Sequence, residues 1–226
     1  MTDLSHRTFT RAALAPVAAR ARTGAYALVF KRALDIGLCL AVLPLALPLV
    51  AVLAVLARRD GGPAFYPHVR VGMGGARFRC WKLRSMVPDA HARLAAILAS
   101  DPAARAEWQR THKLQNDPRV TALGRLLRRT GLDELPQLWC VLRGEMSLVG
   151  PRPVTVPELE RYGRHRRVYL ALRPGLTGLW QVAGRGAVDY EARVALDVRY
   201  CEALSLFTDI GILMRTAGTV LRRTGA

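Results

Sequence analysis

An uncharged apolar stretch, Ile36 to Ala57, carries two prolines, Pro44 and Pro48, and is flanked by basic pairs. Lys31 with Arg32 precedes it, and Arg58 with Arg59 follows. At about 22 residues it reaches roughly 33 Å as a straight helix, enough to cross a bilayer core. A single crossing normally leaves Lys and Arg in excess on one flank. Here both flanks favour the same side. Each proline removes a backbone donor and crowds the preceding turn, so two of them four residues apart favour a bend. The expectation is a re-entrant membrane helix over residues 31–59, bent at Pro44 and Pro48. Both ends would then lie at one face.

The stretch begins late and exceeds the apolar core of a signal peptide, so it reads as a retained anchor. Residues 1–30, rich in Ala and Arg, read as a basic leader lying on anionic lipid. The formal charge of +17 suits an anionic partner: lipid, phosphate-bearing substrate or nucleic acid. The basic blocks lack interleaved aromatics and carry no nucleic-acid motif, so nucleic acid is the weakest of the three. Four scattered cysteines and five scattered histidines show no ligand spacing, which excludes a zinc site and a secreted disulfide scaffold.

Residues 60–226 read as one domain, mostly helical, because helix signals are many and strand signals few. "AFYPHVRVG" and "ARFRCWKLRSM", joined by "GMGG", form a small hairpin. A helical segment follows from Asp89 to His112, then a short basic helix at "ALGRLLRRTGL" and another starting at Asp133. The tail from Asp189 carries an apolar stripe including Leu204, Phe207, Ile210, Leu213 and Met214, expected to face the core. "GMGGARF" is neither a dinucleotide fingerprint nor a phosphate-binding P-loop.

Asp133 and Glu134 are adjacent carboxylates in a basic neighbourhood that includes Arg128. Surrounded by cations, such a pair can stay ionised and hold a divalent metal. A carboxylate can also attack phosphorus. The competing role for Asp133 is to cap the next helix. Arg152 sits between prolines in "GPRP", a rigid mount for a guanidinium that meets phosphate. Arg173 and Arg185 bracket a glycine-rich loop whose amides could cradle a phosphate. Lys82 and Arg84 occupy alternate positions and so share a strand face.

Six blocks carry a resemblance. They are "KRALDIG", "GPAFYPHVRVG", "FRCWKLRSM", "DPRVTALGRLLRRTGLDELPQLWCVLRGEMSLVGPRP", "RPGLTGLWQVAGR" and "LDVRYCEALSLFTDIGIL". In this order they resemble the bacterial sugar transferases, monotopic phosphoglycosyl transferases acting on a polyprenyl phosphate, in the minimal form that initiates exopolysaccharide. The resemblance implies a re-entrant helix plus amphipathic interfacial helices around a compact cytoplasmic catalytic domain at the inner membrane. It also implies transfer of a sugar-1-phosphate from a UDP-sugar to undecaprenyl phosphate, with release of UMP.

Asp133 would be the covalent nucleophile and Glu134 its partner, the two holding Mg²⁺. Arg128, Arg152, Lys82 and Arg84 would meet phosphate. Arg173, Gly175, Thr177, Gln181 and Arg185 would belong to the nucleotide-sugar loop. Direct transfer in a ternary complex is the alternative mechanism, and a homo-oligomer is left open. The resemblance also implies that Pro48 is the break in the membrane helix, with a second kink at Pro44. Two positions depart from the family pattern: Leu47 where Ser often precedes Pro48, and His68 where Gln often precedes "RVG".

Overall fold

The computed structural model describes residues 26–111, 114–183 and 189–221. Most of the basic leader and Arg185 lie outside the described residues. The chain is mostly helical with a small antiparallel sheet, as the sequence patterns predict. A π-turn over Tyr26–Phe30 runs directly into α1, Lys31–Ala57. This helix is long and apolar enough to cross a membrane. Its helical assignment continues through Pro44 and Pro48, so neither proline ends it. Helical dihedrals survive because a proline removes only one ladder bond, leaving the carbonyl four residues earlier without its donor.

The buried positions of α1 are Lys31, Asp35, Cys39, Ala46, Leu53 and Ala57, spaced by four or seven residues. One narrow stripe therefore faces protein, and Leu45, 80% exposed, and Val55 stand on the uncovered surface. Both ends of the helix are clasped by the same folded body. At the start, the Lys31 Nζ donates to Asp209 Oδ2 (2.6 Å), the Val149 carbonyl (2.9 Å) and the Tyr200 hydroxyl (3.1 Å). Asp35 Oδ1 accepts from Ser147 Oγ and the Leu148 amide. At the other end, Leu53 packs with Leu83 and Leu127, and Arg84 donates to the Ala57 carbonyl.

The expected hairpin is present: β1, Phe65–Val71, pairs antiparallel with β2, Arg77–Leu83, in the register Phe65 to Leu83. Its turn includes Gly74 and Gly75, both at positive φ. The helical segment after Asp89 divides into α2, Ala90–Ser100, and α3, Pro102–Thr111. Asp101 separates them by accepting from the amides of Ala103 and Ala104, and Pro102 fits a first helical turn that needs no donor.

Then come α4, Ala122–Thr130, and α5, Gln137–Leu142. A second, parallel pairing joins β3, Ser147–Val149, to β4, Gly175–Thr177. Helices α6, Val156–Glu160, and α7, Arg166–Ala171, lie between these strands in sequence. After β4 follow α8, Leu179–Ala183, α9, Tyr190–Glu202, and α10, Leu206–Leu221. The main core gathers Cys39 of α1, Phe78 and Cys80 of β2, Leu138 of α5, Val149 of β3 and Ile212 of α10. All four cysteines are buried thiols, and burial pushes Cys80 and Cys201 up to about 12.

Two readings are corrected. The "RPGLTG" segment is not an open loop, because Gly175–Thr177 is a buried strand. Gly175 is required by proximity: a Cβ there would lie 2.1 Å from the Gly150 nitrogen and 2.3 Å from the Thr177 oxygen. Both obstacles are backbone, so Gly175→Ala should cost about 3 kcal/mol and lower the thermal midpoint in detergent by several degrees. An unchanged midpoint would refute this packing.

The tail stripe is the second correction. Only part of it enters the core, since Leu204 and Leu213 pack there while Phe207, 86% exposed, and Met214, 70% exposed, face outward with Ile210. Asp209 explains the orientation. Its carboxylate is drawn inward to Lys31, which turns the neighbouring apolar residues away from the body.

Candidate active site

Thr121 starts α4 by accepting from the Gly124 amide at 2.9 Å, and Gly131 ends it in the left-handed conformation at φ 72°. That conformation carries a steric cost for residues with a Cβ, so glycine permits the abrupt reversal. The chain then makes a 3₁₀ turn over Leu132–Glu134, which places the adjacent carboxylates against β2. Asp133 does not cap the next helix: α5 has Pro136 at its N-cap position and no side-chain cap.

Lys82 holds the pair. Its Nζ lies 2.5 Å from Glu134 Oε1 and 3.9 Å from Asp133 Oδ2. Asp133 is 8% exposed, and burial raises its pKa above the ordinary carboxylate value. Lys82 and Arg128 oppose that rise, while Glu134 adds to it. The result is a poorly solvated carboxylate whose nearest cation is already shared with Glu134. Among the described residues, no third Asp, Glu, His or Cys joins them to make a protein-only metal cluster.

The expected phosphate-binding residues divide. Arg128 remains exposed at the end of α4, with Nε bonded to Ser85 Oγ at 2.9 Å. Arg152 is within electrostatic reach of Glu134, and burial, the largest influence, lowers its pKa. Its Nε is buried and unpartnered. Arg84 has a different role. It lies just beyond β2 and donates to Asp60, to Ala57 and Pro63 carbonyls and to the Met86 carbonyl. These bonds use all five N–H donors of a guanidinium, leaving none for substrate. Strand alternation stopped at Leu83, so Arg84 does not share the Lys82 face.

The nucleotide-sugar candidates divide likewise. Arg173 Nε donates to the Gly144 carbonyl at 2.9 Å, Thr177 Oγ1 bonds Thr216 Oγ1 at 2.8 Å, and Gly175 is enclosed in β4. These three hold the fold. Gln181 donates Nε2 to the Leu176 carbonyl at 3.0 Å and leaves its buried Oε1 unpartnered.

The residues that sequence reading missed are Trp180, Arg193 and Asp197. The Arg152 and Arg193 guanidiniums lie 5.3 and 5.7 Å from the Trp180 ring centre. Asp197 lies within electrostatic reach of both and accepts from the Tyr162 hydroxyl at 2.7 Å; burial pushes it up to about 7. The only sequence signal was a tryptophan next to Gln181, and nothing local joined it to Arg193.

A family model described as bacterial sugar transferase matches residues 26–223. An undecaprenyl-phosphate galactose phosphotransferase of Salmonella typhimurium is 54% identical over 87% of this chain and 41% of its own length. A UDP-galactose-lipid carrier transferase of Erwinia amylovora is 52% identical over the same shares. Exopolysaccharide production protein ExoY of Rhizobium meliloti is 44% identical over 96% of this chain and 98% of its own length. The chain thus spans about two fifths of the first two relatives and almost all of the third. Matched along nearly its whole described length, dyad and helix α1 included, the chain belongs to the bacterial sugar transferase family.

Proposed function

We propose that this chain transfers a sugar-1-phosphate from a UDP-sugar to undecaprenyl phosphate, through a covalent intermediate on Asp133. The observation that carries this reading is the buried Asp133 carboxylate, held beside Glu134 and Lys82 with Arg128 and Arg152 nearby. Relatives named for undecaprenyl-phosphate galactose or glucose-1-phosphate transfer supply the reaction class.

In the first step an Asp133 oxygen forms a bond to the sugar-bearing phosphorus. The bond from that phosphorus to the bridging oxygen breaks, and UMP leaves with the electron pair. In the second step a phosphate oxygen of undecaprenyl phosphate attacks the same phosphorus and Asp133 departs as carboxylate. Lys82 holds the carboxylates in place, and the guanidiniums of Arg128 and Arg152 offset charge on the equatorial oxygens. Desolvation of Asp133 leaves its lone pairs weakly hydrated and available for attack.

Two adjacent carboxylates fit a Mg²⁺ ion, which is commonly held by one or two carboxylates plus substrate phosphates. Asp133 and Glu134 would hold it. When bound, the ion neutralises part of the substrate phosphate charge.

The same reading places both ends of α1 at the cytoplasmic face of the inner membrane. Lys31 and Asp35 tie one end to the domain, and Leu53, Ala57 and Asp60 tie the other. A straight spanning helix of this length would carry its ends apart by roughly 40 Å, across the bilayer. A bend at the prolines keeps them together. Cysteines introduced singly at Phe30 and Arg59 should react with an impermeant maleimide from the same side. Reaction from opposite sides would contradict the re-entrant arrangement.

The activity test offers a panel of UDP-sugars with undecaprenyl phosphate and Mg²⁺ to the protein in nanodiscs. The expected products are UMP and a polyprenyl diphosphosugar in equal amounts. No lipid product from any UDP-sugar would overturn the reading.

A further inference from the structure

Four of the buried polar atoms left without partners belong to one constellation: Arg152 Nε, Trp180 Nε1, Arg193 Nε and Asp197 Oδ1. They come from the loop after β3, from α8 and from α9. A buried donor or acceptor without a partner carries a desolvation cost, so such clustering marks a place built for another molecule.

Its charge is unbalanced in one direction. The Arg193 guanidinium lies 5.7 Å from the Trp180 ring centre and 4.3 Å from that of Tyr190. Arg152 shares the Trp180 ring at 5.3 Å, and Arg161 stands over Tyr190 at 3.9 Å. Arg70, also within electrostatic reach of Arg152, is already paired with Glu158 at 2.9 Å. Asp197 feels both Arg152 and Arg193, and Glu134 and Glu158 act on Arg152, yet no ion pair within 4.0 Å joins any of these carboxylates to either arginine. Two guanidiniums stacked on one indole repel each other unless an anion joins them.

Position identifies the anion. Arg152 is within electrostatic reach of Glu134, and it shares the Trp180 ring with Arg193, so the two arginines connect the dyad to α9. A phosphorus attacked by Asp133 must lie at the dyad. The phosphate on the far side of the breaking bond then falls to the paired guanidiniums at Trp180.

We propose that Arg193, steadied by the rings of Trp180 and Tyr190, binds the phosphate of the leaving nucleoside monophosphate. This rests on the reaction proposed above. Arg193 thereby serves a second anion subsite, contiguous with Arg152, that receives UMP as the bond to phosphorus breaks. The planar fork of arginine suits a bidentate grip on phosphate, and stacking on two rings limits the rotamer freedom lost on binding. Asp197, held by the Tyr162 hydroxyl, is within electrostatic reach of both guanidiniums.

The test compares wild type, Arg193→Gln, Arg193→Lys and Trp180→Leu in nanodiscs. UMP binding is measured by calorimetry without turnover, and steady-state transfer is measured separately. Arg193→Gln should weaken UMP binding and raise the KM for the UDP-sugar by about 10- to 100-fold, with the thermal midpoint unchanged. Lysine should restore part of that loss, and Trp180→Leu should reproduce part of it. UMP binding and KM equal to wild type in Arg193→Gln would overturn the subsite. So would a fall in kcat alone. Arg193-dependent UMP binding in a wild type that makes no polyprenyl product would leave the subsite standing and remove the reaction assignment instead.

Discussion

Asp133→Asn should lower sugar-phosphate transfer by about 10³-fold or more while the protein stays folded and membrane-bound. Asparagine matches aspartate in size but lacks the anionic carboxylate oxygen that forms the acyl phosphate. Folding should not suffer, because burial already makes the Asp133 charge costly, as its raised pKa records. Folding raises the pKa, so relative to the unfolded chain this group lends stability at low pH and loses it as pH rises through the raised pKa. Activity runs the opposite way. It should grow with pH through that same ionisation, giving an acidic limb displaced above the ordinary carboxylate range. Initial rates across pH and thermal midpoints of both proteins check the two halves. An Asp133→Asn protein with wild-type turnover would eliminate Asp133 as nucleophile.

Lys31→Met should be the most destabilising single exchange at the membrane helix. The ammonium sits 2.6 Å from Asp209 and also holds the Val149 carbonyl and Tyr200 hydroxyl. Among the described residues, its removal leaves the Asp209 carboxylate, 1% exposed, with only the neutral hydroxyls of Tyr26 and Tyr200. Breaking one side of a buried ion pair costs about 3–5 kcal/mol, far more than the pair itself contributes over an apolar replacement. For a chain of this size that corresponds to a fall of roughly 10 °C in thermal midpoint. Adding Asp209→Asn to the Met variant should recover part of the loss, since no charge is then stranded. Val149 stands three residues before Arg152, so activity should fall along with stability. A midpoint within 2 °C of wild type, on the scale of about 1 kcal/mol or less, would show that the latch does not hold the helix.

What could be read from the chain, and what could not, separates by range. The apolar stretch, the hairpin and the Asp133–Glu134 pair are local patterns: hydrophobic length, period-two alternation around a glycine turn, and adjacent charges. Each survives folding without knowledge of distant partners. Lys31 looked like a flanking charge because its partner Asp209 is 178 residues away. Arg84 was assigned to the Lys82 face by an alternation that ends one residue before it, where the chain turns to meet Asp60 and the end of α1. Gly175 suggested an open loop, whereas it is glycine because two backbones nearly touch. Trp180, Arg193 and Asp197 converge only through the packing of α8 and α9. A single sequence holds no periodicity that would join them.

The basic charge acquires a location as well. Part of it is neutralised inside the fold, by Asp209 at Lys31, by Asp60 at Arg84 and by Glu158 at Arg70. Arg128, Arg152 and Arg193 make no such ion pair among the described residues; Arg128 acts on Asp133, Arg152 acts on Glu134, and Arg193 shares the Trp180 ring with Arg152. This arrangement suits a substrate with two successive phosphates and a reaction that moves charge from one to the other.

The covalent step is tested most directly by intact-protein mass spectrometry after mixing with a UDP-sugar in the absence of undecaprenyl phosphate. The account predicts one equivalent of UMP and a mass increase of one phosphosugar, located by digestion on the peptide containing Asp133 and lost on adding the lipid acceptor. UMP release that occurs only with acceptor present, with no adduct on the protein, would contradict it.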